Sequence, residues 1–122
     1  MMGSKKILVV DDEEILRMLI TDTLEFEGYT IEEAEDGQEG YEKITSNRYD
    51  LILLDYMMPH LTGMEVLEKM QSLALEVPVI MLTAKAQQAD REMAHSYGAN
   101  YFMPKPFSPA ELVTLVNQIL GD

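Results

Sequence analysis

The 122-residue sequence predicts an α/β domain, an open parallel sheet of five strands with five helices packed on its two faces. Three observations carry that prediction. Five short apolar runs recur at fairly even spacing, three of them are continuous rather than alternating, and helix-cap signatures stand in the stretches between. Continuous apolar runs belong to parallel strands covered on both faces, whereas a strand with one wet face alternates.

The first strand is "KILVV" (6–10), followed by a helix whose Ile15, Leu16, Leu19, Ile20, Thr23 and Leu24 form one expected core-facing stripe. Gly28 stands where that helix should end. "TIEEA" (30–34) is more polar and suits a strand nearer an edge, and "LILLD" (51–55) is fully apolar up to its closing acid. Thr62 and Glu65 then read as a capping box, with Leu61 and Val66 as its hydrophobic staple. "VIMLT" (79–83) is the fourth strand, and Gly98 marks the end of the helix after it. "YFM" (101–103) is the fifth strand; Pro104, which has no N–H to give a neighbour, favours an edge. Ser108, Pro109 and Glu111 repeat the capping box with Phe107 and Leu112 as staple, and Leu112, Leu115, Val116 and Ile119 line one face of the last helix.

Composition excludes several function classes. A chain of this length is one domain, expected over residues 5–120, and no repeat or linker interrupts it. The absence of cysteine removes disulfides and thiolate metal sites and fits a cytoplasmic protein. No apolar run is long enough to span a bilayer, so no membrane partner is expected. With 9 Lys and Arg against 22 Asp and Glu, the net charge of −13 speaks against direct binding to nucleic acid.

Parallel sheets collect function at the carboxyl ends of their strands. Read there in order, the chain offers Asp11 and Asp12, then Asp55, Thr83 and Lys105. Carboxylates, a carbonyl and water form a hard-oxygen site that fits Mg²⁺, and no histidine pair stands at zinc-ligand spacing. Lys105 and Thr83 add a cation and a hydroxyl able to hold phosphoryl oxygens, so one carboxylate can act as nucleophile and become an acyl phosphate. Glu13 and Glu14 read as solvated first-turn acids, and His60 and His95 as surface histidines.

"VVDDE" (9–13), "LLDYMMP" (53–59) with Gly63, "LTA" (82–84) and "KPF" (105–107) stand in the order and spacing of the receiver domain of bacterial two-component response regulators, which the chain resembles from about Lys5 to Leu120. The resemblance implies a flavodoxin-like doubly wound sheet of order 2-1-3-4-5, the arrangement known for the chemotaxis member of that family. It implies Asp55 as phosphoacceptor, Asp12 as a direct Mg²⁺ ligand, Asp11 supporting the ion through water, and the main-chain carbonyl of Met57 completing the set. Thr83 becomes the switching hydroxyl, Ala84 its small neighbour, Lys105 the counter-ion, and Lys105–Pro106 a cis bond. The switch aromatic, commonly Tyr, falls on Phe102, which has no hydroxyl; Tyr101 should face the other way. Met57 and Lys85 occupy the positions that flank the attacking water in similar domains and should tune phosphoryl lifetime.

The expected function is therefore Mg²⁺-dependent acceptance of a phosphoryl group from a sensor histidine kinase, a histidine phosphotransfer protein or a small donor. The signal would be read by a downstream protein on the surface of the fourth helix, fifth strand and fifth helix, roughly Gln87 to Leu120. "PAELVTLVNQIL" carries one acid and no base, which favours a monomer or weak dimer over a salt-bridged one. The alternatives are the receiver part of a DNA-binding regulator and a phosphorelay intermediate. A flavodoxin-type electron carrier fits less well, since "DDEE" would repel a cofactor phosphate. An enzyme of the haloacid dehalogenase type wants an acid two residues after its nucleophile, where Met57 stands, so no turnover enzyme is expected.

Overall fold

A computed structural model describes residues 4–84 and 98–121. Five parallel strands, β1 (Lys6–Val10), β2 (Thr30–Ala34), β3 (Leu51–Asp55), β4 (Val79–Ala84) and β5 (Tyr101–Lys105), form one sheet in the order β2-β1-β3-β4-β5. The described helices are α1 (Glu14–Phe26), α2 (Gly37–Ser46), α3 (Gly63–Ser72) and α4 (Pro109–Leu120). The helix expected between β4 and β5, with Lys85 and His95, lies outside the described residues.

Alternation along each strand divides the core in two. Ile7, Val9, Leu51, Leu53, Ile80, Leu82 and Met103 face α1 and α4, where Ile20, Leu24, Leu112 and Val116 cover them. Leu8, Val10, Ile52, Leu54, Val79 and Met81 face α2 and α3, where Ile44, Val66, Leu67 and Met70 do the same. Every residue of β3 is buried, which explains its unbroken apolar run. β2 and β5 are the edges, as the polar "TIEEA" and Pro104 require, and β5 runs two residues past "YFM" to Lys105.

Both capping boxes form. Glu65 N–H donates to Thr62 Oγ1 and Glu111 N–H to Ser108 Oγ, while each glutamate accepts from its own N-cap amide. Each satisfies two N–H groups that a helix start otherwise leaves without partners. The α1 stripe is narrower than expected. Leu16, Ile20 and Leu24 face the sheet with Thr21, but Ile15 is 78% and Leu19 45% exposed. Positions 16, 20 and 24 lie above one another at i+4 spacing; residues 15 and 19 sit about 100° round the helix, beyond the sheet's edge of contact. They line instead an open groove of about 840 Å³ with Glu13, Lys105, Pro106 and Phe107.

Candidate phosphoryl-acceptor site

Asp11 follows β1, Asp55 ends β3 and Lys105 ends β5, so period-2 alternation carries all three onto the face that holds Val9, Leu53 and Met103. One carboxylate oxygen from each of Asp11, Asp12 and Asp55 lies within 4.8 Å of the others. Asp11 and Asp55 are buried, at 0% and 4% exposure, while Asp12 is exposed. Lys105 Nζ stands 3.1 Å from Asp55 Oδ1, 3.3 Å from Asp11 Oδ2 and 3.3 Å from Glu13 Oε1.

Burial is the main cause that raises the Asp55 pKa from 3.8 to about 6, and the Asp11 charge adds to it against the pull of Lys105. Burial likewise raises Asp11 above an ordinary carboxyl, partly offset by the Glu13 amide, which donates to Asp11 Oδ1 over 2.8 Å, and by Lys105. Burial works against the Lys105 ammonium, but Asp11 and Asp55 outweigh it and hold its pKa above the usual lysine value. Asp11 Oδ2 is buried and has no hydrogen bond; its approach to Lys105 is an ion pair without donor alignment. A buried carboxylate oxygen with no hydrogen bond, in a cluster of three acids served by one lysine, fits a hard divalent cation.

Thr83 is buried at 6% exposure near the end of β4. It lies two residues beyond Met81, the register partner of Phe102, so Thr83 and Phe102 share the α2–α3 face of the sheet. Phe102 is half-buried against that cluster, and Tyr101 is 37% exposed. The Met57 side chain is 61% exposed in the turn after β3. Ala84 pairs with Lys105 through the backbone, and the expectation for its side chain lies outside the described residues. The Lys105–Pro106 bond is cis, as the resemblance implies.

Two contributors escaped the sequence reading, and a third, Gly63, entered it only as part of a motif. Glu13 is no bystander, since its carboxylate meets Lys105. Arg17 on α1 donates from Nη1 to the Asp11 carbonyl over 2.6 Å and from Nε to Glu33 Oε1 over 2.9 Å, tying the acidic loop to β2. Gly63 lies so close beneath Asp55 that a Cβ there would come within 2.4 Å of the Asp55 carbonyl oxygen. A helical arginine carries no sequence signal for its partner, whereas Gly63 was legible as part of the motif but its close approach to Asp55 was not.

The sequence matches the response regulator receiver domain over residues 7–117. The chain belongs to that family. Receiver domains are phospho-accepting signalling modules, and this one is 44% identical over 117 residues to the alkaline phosphatase synthesis transcriptional regulatory protein PhoP of Bacillus subtilis, covering 96% of this chain and 49% of that protein. It is 43% identical to the transcriptional regulatory protein SrrA of Staphylococcus aureus, covering 96% and 48%. The chain thus spans about half the length of these relatives. Among solved structures, the Francisella response regulator 1452 receiver domain superposes with a TM-score of 0.89 at 33% identity, covering 95% of this chain and 96% of that one. The receiver domain of sensor histidine kinase PA1611 from Pseudomonas aeruginosa, with a magnesium ion coordinated in its active-site cleft, gives 0.87 at 32%, covering 98% and 99%. Among the described residues, no helix of this receiver domain is long and apolar enough to cross a membrane.

Proposed function

We propose that Asp55 is the phosphoacceptor of this receiver domain. One observation carries the reading: Lys105 Nζ stands 3.1 Å from Asp55 Oδ1 inside a pocket whose three acids have oxygens within 4.8 Å of one another. An Asp55 carboxylate oxygen attacks the phosphorus of a phosphorylated histidine or a small acyl phosphate. The new O–P bond forms as the bond to the donor breaks, and its electron pair leaves with the donor. Lys105 stays charged and supplies N–H donors to the phosphoryl oxygens, and burial keeps water from competing. Asp11, Asp12, Asp55 and the Met57 carbonyl are the groups that would hold Mg²⁺. That ion, when bound, supplies the charge neutralisation that lets an anionic donor approach an anionic acceptor.

Thr83 turns its hydroxyl toward the transferred group, and Phe102, on the same face, takes the space it leaves. The rearranged surface recruits a downstream protein, and the donor side is a kinase or phosphotransfer protein in the cytoplasm, resting on the groove beside Lys105. The domain is a signalling acceptor and not a turnover enzyme, because Met57 stands where a phosphatase of the aspartate-nucleophile type needs its second acid. Intact-mass spectrometry after treatment with acetyl phosphate and Mg²⁺ tests the assignment. Wild type should gain one acid-labile phosphoryl group, Lys105→Ala should lose most of it and Asp55→Asn all of it. A stoichiometric phosphoryl group on the Asp55→Asn protein would overturn the assignment.

A second reading concerns the output. PhoP and SrrA are transcriptional regulators, which favours coupling of this receiver to a DNA-binding module, whereas the sparsely charged α4 favours a protein partner and a monomer. Sedimentation with beryllofluoride separates them: a tight phosphorylation-dependent dimer supports the first.

A further inference from the structure

The Lys105 ammonium has three N–H bonds and faces three carboxylate oxygens, those of Asp55, Asp11 and Glu13 at 3.1, 3.3 and 3.3 Å. Asp55 Oδ1 and Glu13 Oε1 accept hydrogen bonds from it, whereas Asp11 Oδ2 is paired by charge alone. A phosphoryl group on Asp55 carries its oxygens beyond the carboxylate, so the ammonium has to re-aim its donors and its other pairs stretch. Asp11 is fully buried, so its carboxylate has no water to turn into and stays beside the lysine. The Glu13 side chain is 63% exposed and can turn into water at little cost.

The local backbone reinforces the contrast. Glu13 is the N-cap residue of α1, yet its side chain makes no capping hydrogen bond. Its amide is bound to Asp11 Oδ1, so the main chain is held while the carboxylate reaches away from the helix to Lys105. The same residue lines the groove that opens beside Lys105, between Ile15 and Phe107.

We propose that Glu13 is a positioning residue that tethers Lys105 in the unphosphorylated receiver and is the partner Lys105 releases when Asp55 is loaded. This rests on the reading of Asp55 as acceptor. Releasing an exposed ion pair corresponds to a factor of about two to five in rate, so the tether is a modest brake on loading. Glu13→Gln keeps the size and removes the charge. Glu13→Asp keeps the charge but is one methylene shorter, and Asp at an N-cap is drawn to the helix amides and away from Lys105.

The experiment measures the rate of acid-labile phosphoryl gain from phosphoramidate with Mg²⁺, and the ¹⁵N-labelled Lys105 side-chain signal without donor. The variants are Glu13→Gln, Glu13→Asp and, as a charge control at the far end of α1, Glu25→Gln. Both Glu13 variants should load about two to five times faster and shift the Lys105 signal, while the control does neither. Acceleration by Gln but not by Asp would make the effect one of overall charge and overturn the tether. So would an unmoved Lys105 signal, or loading no faster than wild type. Failure of wild type to take a phosphoryl group on Asp55 would instead overturn the acceptor assignment, and this inference with it.

Discussion

Replacing Asp55 by Asn should stabilise the protein in Mg²⁺-free buffer, and the size of the gain follows from the site. The unfolded chain releases this proton near 3.8, but the folded protein only near about 6, chiefly because Asp55 is buried and lies beside Asp11. Between those values the folded state binds more protons than the unfolded state, so the contribution of this group to stability falls as pH rises through the window. About two units at 1.36 kcal/mol each makes the ionised carboxylate cost roughly 3 kcal/mol above pH 7, a figure already net of the attraction of Lys105. Asn resembles the protonated acid and escapes that cost. In a domain of this size the gain amounts to roughly 10 °C in Tm. Thermal and urea denaturation in EDTA from pH 4 to 8 measures it: the two proteins should differ most above pH 7 and converge toward pH 4. A variant no more stable than wild type at pH 7.5, or a gap that does not close on acidification, would refute the argument that burial and Asp11 strain this carboxylate.

Adding Mg²⁺ should raise the Tm of wild type, by roughly 2.7 kcal/mol of stability at about 100 times the dissociation constant; calorimetry of Asp12→Ala should show that shift lost. Gly63→Ala places a Cβ within 2.4 Å of the Asp55 carbonyl oxygen, so it should cost about 1–3 kcal/mol in urea unfolding and slow phosphoryl gain by displacing the acceptor. With beryllofluoride, amide NMR signals should move at Phe102 and along α4 as well as around Asp55. Changes confined to the Asp55 pocket would refute a switch that runs through Thr83 and Phe102.

Local pattern alone determined much of this receiver domain. The unbroken run of β3 could only be a strand covered on both faces, the two capping boxes marked the starts of α3 and α4 to the residue, and the polar second strand fell on an edge. Because strands of a parallel sheet end on one side, the residues at and just past their carboxyl ends, read in order, bring Asp11, Asp55, Thr83 and Lys105 to one edge of the sheet from the sequence alone. What needed the tertiary structure were the contacts made by long side chains and close backbones. Whether Ile15 and Leu19 are buried depends on how wide a strip of α1 rests on the sheet, and helical periodicity does not record that width. Glu13 meeting Lys105 across 92 positions, Arg17 holding the Asp11 carbonyl and Gly63 beneath Asp55 all depend on where separate elements come to lie. An apolar period is a property of neighbours along the chain, whereas these partners are brought together only by the packing of the whole sheet.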